Sequence, residues 1–393
     1  MKLLCLATLL GLAASPARQE IEITVAAGKT NRINVPVRVP VAAGVTAATL
    51  TDASGTPLPS QVTSSSELFF ILPSLEAGKT ATFKAALTVG LSPNSVKQGY
   101  GWQPSGAGDF TELSFENRPV LRYMHKALDE SSKPAREETY KVFHHLYDPM
   151  GKQLVTKGPG GQFTHHRGIF YGFNKTTYGA GKNVDIWHCT KDTHQAHEKV
   201  LSSDGGPVLG RHTVQIAWRG EGKEVFARER RELTVYNVPG GQLVEFASEL
   251  TPVIGPIKLD GDPQHAGFHF RAANEADAKK TYFLRPSGKG DEGKEQNWPG
   301  NKEQVNLPWN AMSFVLGDKR YTCAYLDHPQ NPKEGRYSER TYGRFGSYFA
   351  HTVEEGKPLV VRYRLWLQEG EMKAAEIAAK GADFTDPPKV TVK

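Results

Sequence analysis

The sequence predicts an all-β protein: a small N-terminal immunoglobulin-like β-sandwich, followed by a large antiparallel β-supersandwich domain. Three observations predict it. Apolar and polar residues alternate with a period of two through most of the chain, as in strands with one buried and one wet face. Glycine (39) and proline (25) interrupt that alternation often, so the chain turns often. Helical periodicity is confined to residues 371–379, near the C-terminus.

The elements follow in order. Residues 1–17, MKLLCLATLLGLAASPA, have the form of a secretory signal peptide. Lys2 supplies the positive start, residues 3–12 the apolar run, and Ser15 and Ala17 the small cleavage positions. This predicts an exported protein, periplasmic or extracellular. Residues 18–88 form the small sandwich. Ile21, Ile23 and Val25 alternate with polar neighbours, and so do Ile33, Val35, Val37 and Val39, and Ala81, Phe83, Ala85 and Leu87. The unit holds no histidine or cysteine, so no chemistry is assigned to it. Residues 89–109, rich in Gly, Pro and Ser, read as a linker. Residues 110–393 form the large domain, with roughly a dozen strands in two stacked sheets. Within it Tyr140, Val142, His144 and Leu146 share a face, as do His212, Val214, Ile216 and Trp218. Val-Pro-Gly-Gly at 238–241 marks a hairpin.

The net charge is +6, with opposite charges interspersed as in Arg228-Glu229-Arg230-Arg231-Glu232. That is a solvated strand face and not a nucleic-acid stripe. No later run is long and apolar enough to span a membrane as a helix. Beyond the signal only Cys189 and Cys323 remain, and a disulfide or two buried thiols are both compatible with them.

Reactive groups concentrate in residues 158–173, GPGGQFTHHRGIFYGF. Seven of the thirteen histidines fall between 144 and 197, which makes this region the place to seek acid, base or ligand chemistry. Read as a strand, the run points His165 and Arg167 one way and His166 the other. Gly160 and Gly161 let the backbone pass close to a ligand. In Asp185-Ile-Trp-His188 the strand reading pairs Asp185 with Trp187, a combination suited to the apolar face and hydroxyl rim of a sugar. His194 and His197 have the short spacing of some metal pairs, without further ligand motifs. His265, His269 and Arg271 share a strand face; His328 stands at a strand end; Glu339, Arg340 and Arg344 come late in the chain. Serine-elbow, phosphate-loop and dinucleotide motifs are absent.

Several ordered runs, Arg118-Pro-Val-Leu-Arg-Tyr123, Tyr147-Asp-Pro-Met-Gly151, Thr156-Lys-Gly-Pro-Gly-Gly161, His165-His-Arg-Gly168, Val184-Asp-Ile-Trp187 and Leu326-Asp-His-Pro329, resemble the bacterial exported family catalogued as "methane oxygenase PmoA". The resemblance covers residues 110–385. It implies a supersandwich like that of galactose mutarotases, where a histidine acid and a glutamate base act on a sugar ring. His166 or His188 would then be the acid and Glu339 the base. The name itself implies a histidine-bound metal enzyme, although this chain has none of the long apolar helices of a methane oxygenase subunit.

The expected function is an exported carbohydrate-active protein doing acid–base chemistry in a cleft lined by histidine and arginine. The alternatives are a non-catalytic glycan-binding protein and a histidine-bound metal enzyme. The expected catalytic residues are His165, His166, Arg167, His188, His265, His328 and Glu339. Tyr171, Asp185, Trp187, Arg271 and Arg340 are expected to bind substrate. No metal ligands are assigned and no cofactor is predicted, beyond the histidine-bound metal of the third alternative. The expected partner is a small molecule or glycan.

Overall fold

The computed structural model describes residues 18–90 and 98–393. The signal expectation at 1–17 and part of the linker lie outside those residues. The described chain is nearly all β, and its strand pairings are antiparallel. Among the described residues no helix is long and apolar enough to cross a membrane.

The N-terminal residues form a five-stranded and a three-stranded sheet. Ile23, Val25, Val37, Leu68, Phe70 and Phe83 fill the core between them, as their period-two spacing requires. One strand of this unit comes from the far end of the chain: Lys389–Val392 pairs with Arg18–Ala26. The boundary at residue 110 therefore does not keep the C-terminus within the large unit.

The large unit stacks an eight-stranded sheet on a nine-stranded one. The first contains Arg118–Met124, Phe143–Leu146, Ile169–Phe173, Ala266–Arg271 and Arg344–Tyr348 as central members. Its edge strand, Tyr100–Pro104, falls within the segment expected to be a linker. The second sheet includes the expected hairpin of Val225–Tyr236 with Gln242–Pro252. Tyr171, Phe173, Phe268 and Phe270 from one sheet meet Ile216, Trp218, Phe246 and Tyr363 from the other in the main core.

Two α-helices are present among the described residues. Ala374–Thr385 overlaps the helical stretch expected at 371–379, runs on past it, and buries Ile377 and Phe384. Lys133–Thr139 was not expected. Its Ser132 cap accepts from Ala135 N at 3.2 Å, and Pro134 sits in the first turn. Seven residues are too few to display a helical period. Cys189 and Cys323 are separate buried thiols.

Because side chains alternate along Ile169–Phe173, Tyr171 enters the core while Phe170 points to the outer face of the eight-stranded sheet. There Phe143, Phe170 and Trp187 form a small apolar cluster. The loops 156–168 and 185–193 lie over that face.

Candidate metal centre

The stretch containing His165 and His166 is a loop, and the strand starts only at Ile169. His166 N donates to Phe163 O at 2.9 Å, closing a turn at Phe163, whose φ is +57°. A turn abolishes strand alternation, so both histidines face the same way. Their rings stand 4.3 Å apart, centroid to centroid. Arg167 turns away. It donates to the carbonyls of Thr164 (2.9 Å), Glu138 (3.0 Å) and Glu137, and its guanidinium lies 4.5 Å from the Tyr140 ring. Its charge is thus used to hold backbone carbonyls of the preceding helix and turn, not to face a ligand.

Asp185-Ile-Trp-His188 is also a turn. Asp185 Oδ1 accepts from Trp187 N (3.0 Å) and His188 N (2.7 Å), while Oδ2 accepts from His188 Nδ1 at 2.7 Å. The aspartate therefore pairs with the residue three positions on. Trp187 is 1% exposed and packs edge-on against Phe170. It offers no surface to a sugar.

His265 just precedes the strand Ala266–Arg271 and repeats the arrangement. Its Nδ1 donates to Asp262 at 3.0 Å, and Asp262 in turn accepts from Asn174 Nδ2 at 2.7 Å. Burial works to raise the Asp262 carboxyl, but the bonds from His265, Gln264 N and Asn174 outweigh it and hold the group below the ordinary carboxylate range.

These turns bring four imidazoles together. The His188 ring lies 4.4 Å from that of His165 and 4.7 Å from that of His265, and His265 is 5.5 Å from both His165 and His166. One ring nitrogen each from His165, His166 and His265 lies within 4.8 Å of the other two. Nitrogens on a tetrahedral ion with bonds of about 2.1 Å stand about 3.4 Å apart. Contraction of about an ångström would thus seat a metal ion.

The chemistry of the donors fits. Nε2 of His165 and Nε2 of His166 are buried without a hydrogen-bond partner, an arrangement that costs free energy unless something binds there. Burial, then the neighbouring His188, Lys141 and His265, push the His165 imidazole down to about 2. Burial and then Arg344 hold His166 well below its ordinary value. Both are therefore neutral, the ligating form. His188 and His265 each give Nδ1 to a carboxylate, which leaves Nε2 for the centre. This is the carboxylate–histidine arrangement that orients metal ligands. Tyr342 stacks on His166 at 6.2 Å, and Lys141 Nζ donates to the carbonyls of His165 (3.0 Å) and Trp187, tying the two ligand loops together. Burial pushes that lysine down to about 7.

Other expected site residues lie elsewhere. Glu339 is fully buried against Arg285, Asn310 Nδ2 (2.9 Å) and Gln296 N (2.9 Å), so it is not a base for His166 or His188. His328 packs on Phe384, with ring centroids 5.1 Å apart, beside the C-terminal helix. Arg340 pairs with Glu295 at 2.7 Å. Tyr171 is in the core. Arg271 lies behind the centre, its guanidinium 4.9 Å from the Tyr342 ring, donating to Ala272 O and Asn274 Oδ1. His194 and His197 take separate partners, Asp192 O and Tyr123 Oη.

The sequence reading missed Asp262, Phe163 and Tyr342. One signal was present: Asp-x-x-His occurs at 185–188 and again at 262–265, and each run places a carboxylate on its own histidine.

The fold and site define a β-supersandwich protein with a carboxylate-supported histidine cluster on the outer face of one sheet. A family model described as "Family of unknown function (DUF6807)" matches residues 111–381, and the chain belongs to that family. This corrects the resemblance to the methane oxygenase PmoA family, because the matching model is a different one. No curated protein matches. Two solved structures from Enterococcus faecalis are similar at 8% identity: a protein in glycosyl hydrolase family 38 (TM-score 0.45) and an alpha-mannosidase from strain V583 (TM-score 0.47). Each comparison covers 95% of this chain, which spans about half the length of those proteins (47% and 46%).

Proposed function

We propose that this chain is a metal-dependent protein whose His165, His166 and His265, with His188 beside them, hold a borderline divalent transition ion. The observation that carries the reading is the convergence of one ring nitrogen each from His165, His166 and His265 within 4.8 Å, beside histidines that give Nδ1 to Asp185 and Asp262. Imidazole ligands suit zinc, copper, iron or nickel. Because all the ligands are neutral, the ion would keep its full charge, polarise a bound oxygen donor and acidify bound water. His188 and His265 side chains are 29% and 26% exposed, which leaves an approach from solvent. Lewis-acid catalysis on a polar, oxygen-rich substrate is the chemistry this arrangement supports best, and a carbohydrate belongs to that class.

A second reading rests on the Asp185–His188 contact alone. A histidine oriented by a carboxylate serves as a general base without metal.

Elemental analysis of protein purified without chelator separates the two. About one equivalent of transition metal is expected, and His265→Ala should lose it while keeping the fold. A folded parent that carries no stoichiometric metal and takes up no added zinc overturns the metal reading.

A further inference from the structure

Phe163 is the one exposed aromatic residue among the described residues, at 44%. Its backbone is left-handed, at φ +57°, a conformation that a bulky residue adopts only at a cost in free energy. Packing does not account for it, since the ring is left in solvent. Its position does point to a use. The ring lies 5.6 Å from His166, 6.0 Å from His165 and 5.1 Å from Tyr342. Tyr342 is itself fixed. Arg344 Nε donates to its hydroxyl at 3.3 Å, Arg271 stands over its ring, and it stacks on His166 at 18°. The two rings, tilted at 45° to each other, thus make an aromatic edge beside the histidine centre.

A polar group stands next to that edge. Asn274 is exposed and is held by Arg271 Nη2 at 3.2 Å. It lies so close to Gly161 that a Cβ there would sit 2.2 Å from its Nδ2. Gly161, at φ +60°, lets the loop carrying Phe163 pass over this amide.

We infer that the exposed Phe163 ring, braced by Tyr342, is the platform on which a ring-shaped ligand with an apolar face and a polar rim lies at the histidine centre, with Asn274 meeting the rim. This rests on reading the centre as a ligand-binding metal site. Phe163 takes the stacking role that the sequence had suggested for Trp187, which is buried. A pyranose and an aryl ring share this chemistry.

The test uses the full chain loaded with cobalt, as parent, Phe163→Ala and Phe163→Trp. Each is titrated calorimetrically with tri- and tetrasaccharides of glucose, mannose and xylose, and with 4-phenylimidazole against imidazole. A ring ligand that binds the parent should weaken by about tenfold in Phe163→Ala and recover in Phe163→Trp. Imidazole affinity and the cobalt spectrum should be the same in all three. Loss confined to saccharides assigns a sugar ring; loss confined to 4-phenylimidazole assigns an aryl ring. The platform is overturned if Phe163→Ala binds ring ligands like the parent, if the parent binds neither kind, or if the variant loses cobalt as well. A parent that takes up no cobalt sinks the metal reading instead, and the saccharide titrations, which need no metal, still decide the platform.

Discussion

Asp185 and Asp262 do the same work in two loops: each fixes a ring orientation by accepting from Nδ1. Removing the charge while keeping the shape isolates that work. Asp185→Asn and Asp262→Asn should each weaken metal binding by roughly 10- to 100-fold, measured by competition with a chromogenic chelator. The metal-free proteins should still unfold in one cooperative transition, with Asp262→Asn at a lower thermal midpoint because the fold holds that carboxyl below the ordinary range. Unchanged metal affinity would remove the carboxylates from the site. Arg167 gives the opposite lesson. Adjacent to two candidate ligands in sequence, it caps backbone carbonyls of Thr164, Glu137 and Glu138, and proximity along the chain says little about which way a side chain points once a turn intervenes.

At the scale of elements, the site depends on where loops leave the sheet. Gly168 is the hinge between the histidine loop and the strand Ile169–Phe173. Its N donates to Lys157 O and its O accepts from Arg271 N, both at 2.8 Å. A Cβ at this position would lie 2.0 Å from His144 O, at φ +32°. Gly168→Ala must therefore push apart the strands Phe143–Leu146 and Ile169–Phe173 and carry His165 and His166 with them. It should lower stability by roughly 1–3 kcal/mol in urea unfolding and abolish metal uptake. Wild-type behaviour in both would show that the loop adjusts freely. The same contrast explains what could be read beforehand. Strands such as Leu209–Arg219 and Gln242–Pro252 were legible because one buried face imposes a period of two on the sequence. The turns at 163–166 and 185–188 were not, because i to i+3 bonds set their geometry and leave no periodic mark. Hence the sequence marks the histidine-rich stretches but not which way their side chains turn, and it put Trp187 on an open face although the ring is buried.

The whole molecule adds a dependence on pH. His145, His197 and His212 lie away from the metal centre, and burial is the first cause that pushes each down to about 4. An unfolded chain would protonate them near 6.5. Between about 6.5 and 4 the unfolded state therefore binds more protons than the folded one. Their contribution to stability is complete above 6.5 and is lost as pH falls through that window. Unfolding midpoints in urea should decline as pH falls from 6.5 to 4, below a slope that Lys141, pushed down to about 7, already imposes between pH 8 and 7. A flat profile down to pH 4 would mean that these rings reach solvent.

The fold also carries the central claim. Two stacked sheets give the outer face, and three loops, at 156–168, 185–193 and 261–265, deliver histidines that are neutral or held by a carboxylate. Anomalous diffraction from crystals of the full chain grown with zinc tests this most directly. The account predicts one strong peak, between His165, His166 and His265, present above the zinc absorption edge and absent below it. Zinc-soaked crystals with no peak at that position, or with their only peak elsewhere, would contradict it.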